Sequence, residues 1–438
     1  MHAPGPRDKV LSTDTNLQGL NNSSRRHKYV DMKTYVDMET WRPIDYESAL
    51  KRELKLLESS QISDENKRLI RRYMNHRLAR GISFARIERE IASLRLLCEK
   101  FDADLENLDE ERVDELLASV EIAYDKLNTV NEFKKALKYF LKFRGREDLA
   151  GRIKRKEVKD NELTKDDLLT VDEVLKLVSV AMNERDPALI MCHLDLACRP
   201  EEVLTLTVGD FVRDALGIRV EIRRSKTFRR SPHLSFSLPY VSRWLNVHPL
   251  KDDPDAPMWI DLNKFRKGIV APIDNDAYRR LLVRLFKRAG IKKRKNFTPY
   301  NFRHTGITLW SVLLTEQQLS KRSGHIPGSR HLRRYAKLVD TDTDKKILKE
   351  LGLISRDEVD ADVKRLQPIK CGICGEFNEP LRQRCWKCKA ALDPTKLVQE
   401  FGGEIIEAVM DDSLEKMIEE KVKKMLVEIL KAEGKIKS

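Results

Sequence analysis

The chain has 438 residues, 41% of them hydrophobic and 35% charged; this length suggests about two to four domains with real cores and excludes a disordered polyelectrolyte. Lys and Arg number 84 against 70 Asp and Glu, leaving a formal charge of +14. That excess favours a polyanionic partner, nucleic acid foremost, although a salt-laced surface of the heat-adapted kind fits the same charge density. No run of about eighteen apolar residues occurs and the opening MHAPGPRDKV lacks a secretory apolar stretch, so a cytoplasmic, nucleoid-associated protein with no membrane partner is expected.

Residues 1–57 open polar, with YVDM at 29–32 echoed at 35–38, and are expected to be a mobile arm. Over 58–150 apolar residues recur at three and four, as in Leu94, Leu97 and Phe101, then Phe133, Leu137 and Phe140, which predicts a small helical domain. Residues 151–167 have dense charge and almost no apolar period, the pattern of a solvated connector. A second, larger domain over 168–355 begins with TVDE at 170–173, a capping box. Within it IRVEI (218–222) and LSFSL (234–238) alternate apolar and polar residues and predict a basic hairpin; helical spacing returns in AYRRLLVRLFKRAG (277–290). The expected fold is mainly α with a small β-sheet.

Three cysteines, Cys98, Cys192 and Cys198, are scattered in apolar contexts, whereas Cys371, Cys374, Cys385 and Cys388 form two C-x2-C knuckles ten residues apart. Four thiolates make the soft tetrahedral set that Zn2+ prefers, with no open position for catalysis, so residues 366–393 read as a zinc ribbon with one structural Zn2+. Residues 394–438 hold apolar positions 414, 418, 422, 425, 426 and 429, a terminal amphipathic helix that docks on its own domain or self-associates.

Four sites stand out as chemistry. Arg199 precedes Pro200-Glu201-Glu202 at a helix start, where its planar fork suits a phosphate oxygen. Lys226 sits in the predicted hairpin turn among Arg223, Arg224, Arg229 and Arg230. In TPYNFRHT (298–305) Arg303 follows Tyr300 by three residues, a spacing that puts both on one helix face. Finally His325, in a Gly-His pair, precedes Tyr335 by ten residues.

The order Arg, hairpin Lys, Arg-His-Thr, Gly-His, Tyr over roughly residues 58–350 resembles the tyrosine recombinases of the phage integrase type, most of all archaeal Xer-like and integrase members. The resemblance implies a helical core-binding (SAM-like) domain over 58–150 followed by an α+β catalytic domain. It implies that Arg199 and Arg303 clamp one DNA phosphate and that Tyr335 attacks phosphorus, leaving a 3′-phosphotyrosyl link. Lys226 then protonates the leaving 5′ oxygen, and His325 hydrogen-bonds the phosphate or orients the nucleophile. The bond energy is kept in the link, so neither ATP nor a catalytic metal is called for. A tetramer on two double-stranded DNA sites is implied as well. Where the family usually has His or Lys this chain has Tyr300, and a phenol titrating at about 10 is a poor base near neutral pH.

Two rivals share these residues. A type IB-like topoisomerase would use the same chemistry as a monomer, and a non-catalytic DNA-binding regulator would keep the fold alone.

Overall fold

The computed structural model describes residues 34–157, 168–292, 298–329 and 361–392, together with Leu332, Tyr335, Ile347, Leu348, Leu351 and Leu353. Most of the expected arm, most of the 151–167 connector and the terminal helix at 394–438 lie outside the described residues. Two compact units result, one made of Met1–Asp167, Ile260–Arg280 and Gly328–Leu338, the other of Leu168–Trp259, Leu281–Pro327 and Val339–Ser438.

In the first unit a short strand β1 (Thr34–Tyr35) precedes helices α1 (Tyr46–Ser59), α2 (Asp64–Ala79), α3 (Phe84–Phe101), α4 (Glu110–Ala123), α5 (Leu127–Phe143) and α6 (Glu147–Arg152). The three-and-four spacing points Leu94, Leu97, Phe133, Leu137 and Phe140 into one core, with Phe101 packed against its edge. Helix α1 corrects the arm expected over 1–57: Asp45 caps it through the Ser48 N–H at 2.9 Å, and Leu50 and Leu57 are buried in that core. The buried carboxylate of Glu90 is fully partnered, accepting from Tyr73, Arg77 and Arg86 at 2.8, 2.9 and 3.2 Å.

The second unit starts at α7 (Val171–Ser179), where Thr170 and Glu173 form the expected capping box. Next come α8 (Arg185–Leu196), buried along its length, α9 (Pro200–Leu204), and an antiparallel pair, β2 (Phe211–Asp214) and β3 (Gly217–Val220). The hairpin expected from 218–222 and 234–238 is therefore shifted. Strand β2 was not anticipated, and the third strand-like run is marked by the bridges Arg219–His233 and Ile222–Arg230. The LSFSL alternation is real, since Leu234, Phe236 and Leu238 are buried. However, the carboxylate of Asp195 accepts from the backbone N–H groups of Ser235 and Ser237 at 2.7 and 3.1 Å, and Pro239 opens helix α10 (Leu238–Val247).

The chain returns to the first unit through α11 (Leu262–Phe265) and β4 (Ile269–Val270), which pairs in parallel with β1, Thr34 opposite Ile269. Then α12 (Asn275–Arg288) matches the apolar spacing expected at 277–290, and α13 (Tyr300–Ser311) and α14 (Glu316–Ser323) complete the helices that carry the site. The fold is mostly helical with small sheets, as composition and periodicity predicted.

Helix α13 lies directly on α8 because Gly306 has no side chain: a Cβ there would stand 2.1 Å from the carbonyl oxygen of Leu194. Backbone cannot yield as a flexible side chain does. We expect Gly306→Ala to cost about 2 kcal/mol or more in urea unfolding, the range of an overpacked core. Gly151→Ala, in α6 with open space around it, should be neutral or slightly stabilising.

Candidate functional site

The site grows from the end of α8. Ala197 closes that helix in the left-handed region, at φ 46° and ψ 30°, a conformation costing a residue with a Cβ about 1–2 kcal/mol. Its carbonyl accepts from Arg303 Nη1 at 2.9 Å, which helps hold the turn. The reversal delivers Arg199 as the residue before α9, with Pro200 presetting the first turn.

Glu202, three residues after Arg199, organises what surrounds it. Its carboxylate accepts from the Arg199 backbone N–H at 2.9 Å, Arg199 Nη1 at 3.0 Å, Ser225 Oγ at 2.8 Å and Arg230 Nη2 at 2.6 Å. Burial alone would push this carboxyl up; the Arg230 hydrogen bond and charge, with the Arg199 N–H and the Ser225 hydroxyl, outweigh it and hold the pKa at about 2. Arg230 also donates to the carbonyl of Arg322 at 2.9 Å. It is therefore a buried structural cation and not one of the surface charges its place in the basic tract suggested.

Arg303 is almost wholly buried on α13 and donates through Nη1 to Ala197 and Ser323 carbonyls at 2.9 and 2.7 Å. Its Nη2 lies 3.0 Å from His325 Nε2. Ser323 Oγ donates to the Leu319 carbonyl at 2.6 Å and lies 2.9 Å from His325 Nδ1, while Arg303 Nη2 stands 3.1 Å from that same nitrogen, so the imidazole is held between Ser323 and Arg303. Gly324 ends α14 at φ 71°, and a Cβ there would also meet Arg230 Nη1 at 2.5 Å. Both demands select glycine. The carbonyl of Gly324 accepts from Arg199 Nη1 at 3.3 Å and Thr227 Oγ1 at 2.8 Å.

The second unit thus brings together Arg199, Arg303, His325 and the loop that carries Lys226, whose side chain is exposed. Tyr300 is 42% exposed at the start of α13, its ring centroid 5.3 Å from that of His304, while Arg303 on the same helix is buried. Tyr335 is helical and buried, and belongs to the first unit. Sequence reading missed Glu202 as more than a dipole partner, although its position three residues into a Pro-started helix is that of a capping-box acid. It also missed Asp195, whose buried carboxylate takes both Ser235 and Ser237 hydroxyls, at 2.8 and 2.6 Å, and pairs with Arg322. Arg322 lies over the Trp310 ring at 4.3 Å, which orders the end of α14.

The four cysteines converge, with all Sγ atoms within 4.8 Å of one another and the Cys371–Cys388 and Cys374–Cys385 pairs at 3.6 Å. A tetrahedral Zn2+ with bonds of about 2.3 Å needs sulfurs about 3.8 Å apart, so this set fits it. The knuckles hang from the pair β5 (Ile369–Lys370) and β6 (Phe377–Asn378). The first turns at Gly375, at φ 71°, and the second at Lys389, a non-glycine at φ 65°. Cys385 is held down at about 6: burial raises it, but the N–H groups of Cys388 and Lys387 favour its thiolate.

No family model matches the chain. A curated protein, tyrosine recombinase XerA of Pyrococcus horikoshii, is 26% identical over 182 residues, 42% of this chain and 59% of that protein. The chain therefore spans less than two thirds of that relative's length. Among solved structures, the XerH site-specific recombinase bound to difH substrate, a pre-cleavage complex, is 19% identical and covers 66% of this chain and 90% of that one, with a TM-score of 0.45. A lambda integrase tetramer bound to a Holliday junction is 13% identical, covering 65% and 87%, with a TM-score of 0.48.

Because the Glu202 carboxyl lies below its ordinary value of 4.5, it stabilises the fold fully above that pH, and the contribution is lost as pH falls from about 4.5 toward 2. Glu202→Gln strands Arg230 without a buried counter-charge and should cost about 3–5 kcal/mol. Urea midpoints between about pH 6 and pH 2 should fall more steeply for the wild type than for the variant over the acid part of that range. Over the aligned stretch, what this chain is similar to in sequence is a tyrosine recombinase.

Proposed function

We propose that the chain is a site-specific DNA recombinase that cuts and rejoins strands through a 3′-phosphotyrosyl intermediate. The observation that carries this reading is the convergence of Arg199, Arg303, His325 and the Lys226 loop on the turn at Gly324. Arg199 and Arg303 stabilise the charge that builds on the scissile phosphate, and preorganisation by buried carbonyls means they need little rearrangement to do so. The Tyr335 oxygen bonds to phosphorus as the bond to the 5′ oxygen breaks. The leaving oxygen takes a proton from Lys226, and the tyrosine proton passes to water. His325 hydrogen-bonds the phosphate through a ring N–H, so the nitrogen that faces the phosphate carries a proton in that step. Tyr300 is a poor base and its exposed ring suits a hydrogen bond to DNA instead.

We further infer one structural Zn2+ on Cys371, Cys374, Cys385 and Cys388, a tetrameric assembly on two duplex sites, and residence on the nucleoid. The metal neutralises the thiolates and cross-links the knuckles; it takes no part in cleavage, which also needs no ATP. Two of the ribbon's basic side chains pair within it, Arg382 with Glu379 at 3.0 Å and Lys387 with Glu376 at 3.1 Å. Among the described residues no helix is long and apolar enough to cross a membrane.

The test is covalent capture. The full chain is incubated with a pool of nicked duplexes of randomised sequence, and protein–DNA adducts are recovered under denaturing conditions and sequenced. The wild type should yield adducts on a defined sequence, Tyr335→Phe none while retaining duplex affinity, and Tyr300→Phe a reduced amount. Absence of any wild-type adduct would favour the regulator, and relaxation of plasmid without joining of sites would favour the topoisomerase. Binding should weaken steeply with salt, with a log–log slope of about 0.9 per phosphate contact. The hairpin contributes less than its composition suggests, because Arg230 is buried and Arg223 pairs with Asp210 at 3.0 Å.

Metal analysis should find about one zinc per chain, the stoichiometry of a single four-thiolate site. Cys385→Ser should release it and raise protease sensitivity around residues 366–392, while adduct formation on a captured duplex persists.

A further inference from the structure

The Lys226 loop is held in a way that the catalytic roles above do not require. It runs from Ile222 to Arg230, which bridge across its base, and its exposed lysine carries a long flexible stem. The residues on either side of that lysine are both hydroxylic, and both are tied to groups that also bind Arg199. Ser225 Oγ donates to Glu202 Oε1 at 2.8 Å, and Glu202 also takes Arg199 Nη1 at 3.0 Å. Thr227 Oγ1 donates to the Gly324 carbonyl at 2.8 Å, which takes Arg199 Nη1 at 3.3 Å. Arg230 Nη2, on the same Glu202 carboxylate at 2.6 Å, anchors the loop's far end. The backbone of Lys226 is thereby fixed on both sides relative to Arg199 and to the turn that presents His325.

We propose that Ser225 and Thr227 form a two-point latch that presents Lys226 to the leaving oxygen, acting as positioning residues and not as groups that touch DNA. The inference rests on the strand-transfer reading. In the step it serves, the Tyr335 oxygen bonds to phosphorus, the P–O5′ bond breaks, and the electron pair left on O5′ takes a proton from Lys226 Nζ while the tyrosine proton goes to water. A proton donor displaced by about 1 Å loses on the order of 10²-fold in rate, so the latch matters to the extent that Lys226 acts as the acid.

A leaving group that needs no proton separates this role from a merely structural one. The probe is the nicked duplex captured from the randomised pool, made with its ordinary 5′ oxygen and with sulfur at that bridging position, since a thiolate departs without protonation. The double variant Ser225→Ala/Thr227→Val should form adduct on the order of 10²-fold more slowly than wild type on oxygen and at nearly the wild-type rate on sulfur, the pattern also expected of Lys226→Ala. Thr227→Ser, which keeps the donor, should behave as wild type on both. Equal slowing on oxygen and sulfur, or no slowing on oxygen, overturns the latch while leaving the recombinase reading intact. Failure of the wild type to form adduct on either duplex overturns the reading and the latch with it. Amide hydrogen exchange of the DNA-free protein gives a second check that does not depend on the double variant's catalysis. Exchange at residues 224–229 should quicken in Thr227→Val against an unchanged α8, and unchanged exchange in the loop overturns the latch.

Discussion

The arrangement of the second unit depends on one buried carboxylate. Glu202 accepts from Arg199 at its own helix start and from Ser225 and Arg230, which lie in one loop more than twenty residues further along the chain. A carboxylate removed from water is costly unless every lone pair has a partner and the positive charge beside it is fixed. Here that requirement works as a geometric constraint: satisfying Glu202 holds the loop at 222–230 against the start of α9. Arg230 closes the arrangement by reaching the carbonyl of Arg322, so the same charge also draws in the end of α14 and the Gly324 turn. The guanidinium of Arg199 has one of its nitrogens committed to Glu202 and Gly324 and remains half-buried, an orientation set by the protein before any ligand arrives.

A second buried carboxylate repeats the device below the first. Asp195 gathers Ser235 and Ser237 at the entry to α10 and Arg322 at the end of α14, while its own carbonyl takes Trp310 Nε1 at 2.7 Å. Helices α8, α10, α13 and α14 are thereby tied through one residue. The close contact allowed by Gly306 adds the packing that a hydrogen bond alone does not supply. Buried His193 belongs to the same layer: burial lowers its pKa to about 3, so it stays neutral against the Cys198 carbonyl and adds no competing charge near Arg303.

How much of this was legible in the sequence follows from the range of each interaction. Helical spacing is local, and it placed the cores of α3 and α5 and the extent of α12 within a few residues. The capping box at Thr170 is local too, and so is the cysteine pattern. The site residues were legible through their order along the chain, which is a family signal and carries no geometry. What could not be read was which charges turn inward. Arg229 and Arg230 are adjacent and chemically alike, yet only the second is buried, because only it faces Glu202 across 28 residues of sequence. Tyr300 and Arg303, three residues apart on α13, differ likewise: Arg303 is buried and Tyr300, at the first position of the helix, is 42% exposed. The shifted hairpin has the same origin, since over 234–238 Ser237 is buried along with its apolar neighbours, and Ser235 and Ser237 turn to Asp195 instead of pairing as a strand.

The ribbon shows where charge excess stops being a guide to partners. Its basic residues are largely answered from within, by Glu379, Glu376 and the Trp386 carbonyl, the last accepting from Lys389 at 2.8 Å. Glu379 in turn pairs with Arg243 on α10, which also pairs with Glu184 beside α8. A ribbon this small has little apolar core of its own: Asn378 sits at its centre, fully buried, accepting from the Trp386 N–H at 2.9 Å and donating to the Glu376 carbonyl at 3.0 Å. Its attachment to the second unit therefore runs through an ion-pair bridge that ends on the helix preceding Arg199. Without Glu379, Arg243, partly shielded from water, would keep Glu184 as its remaining acid in that bridge. The ribbon thus bears on the fold around α8 through charge balance.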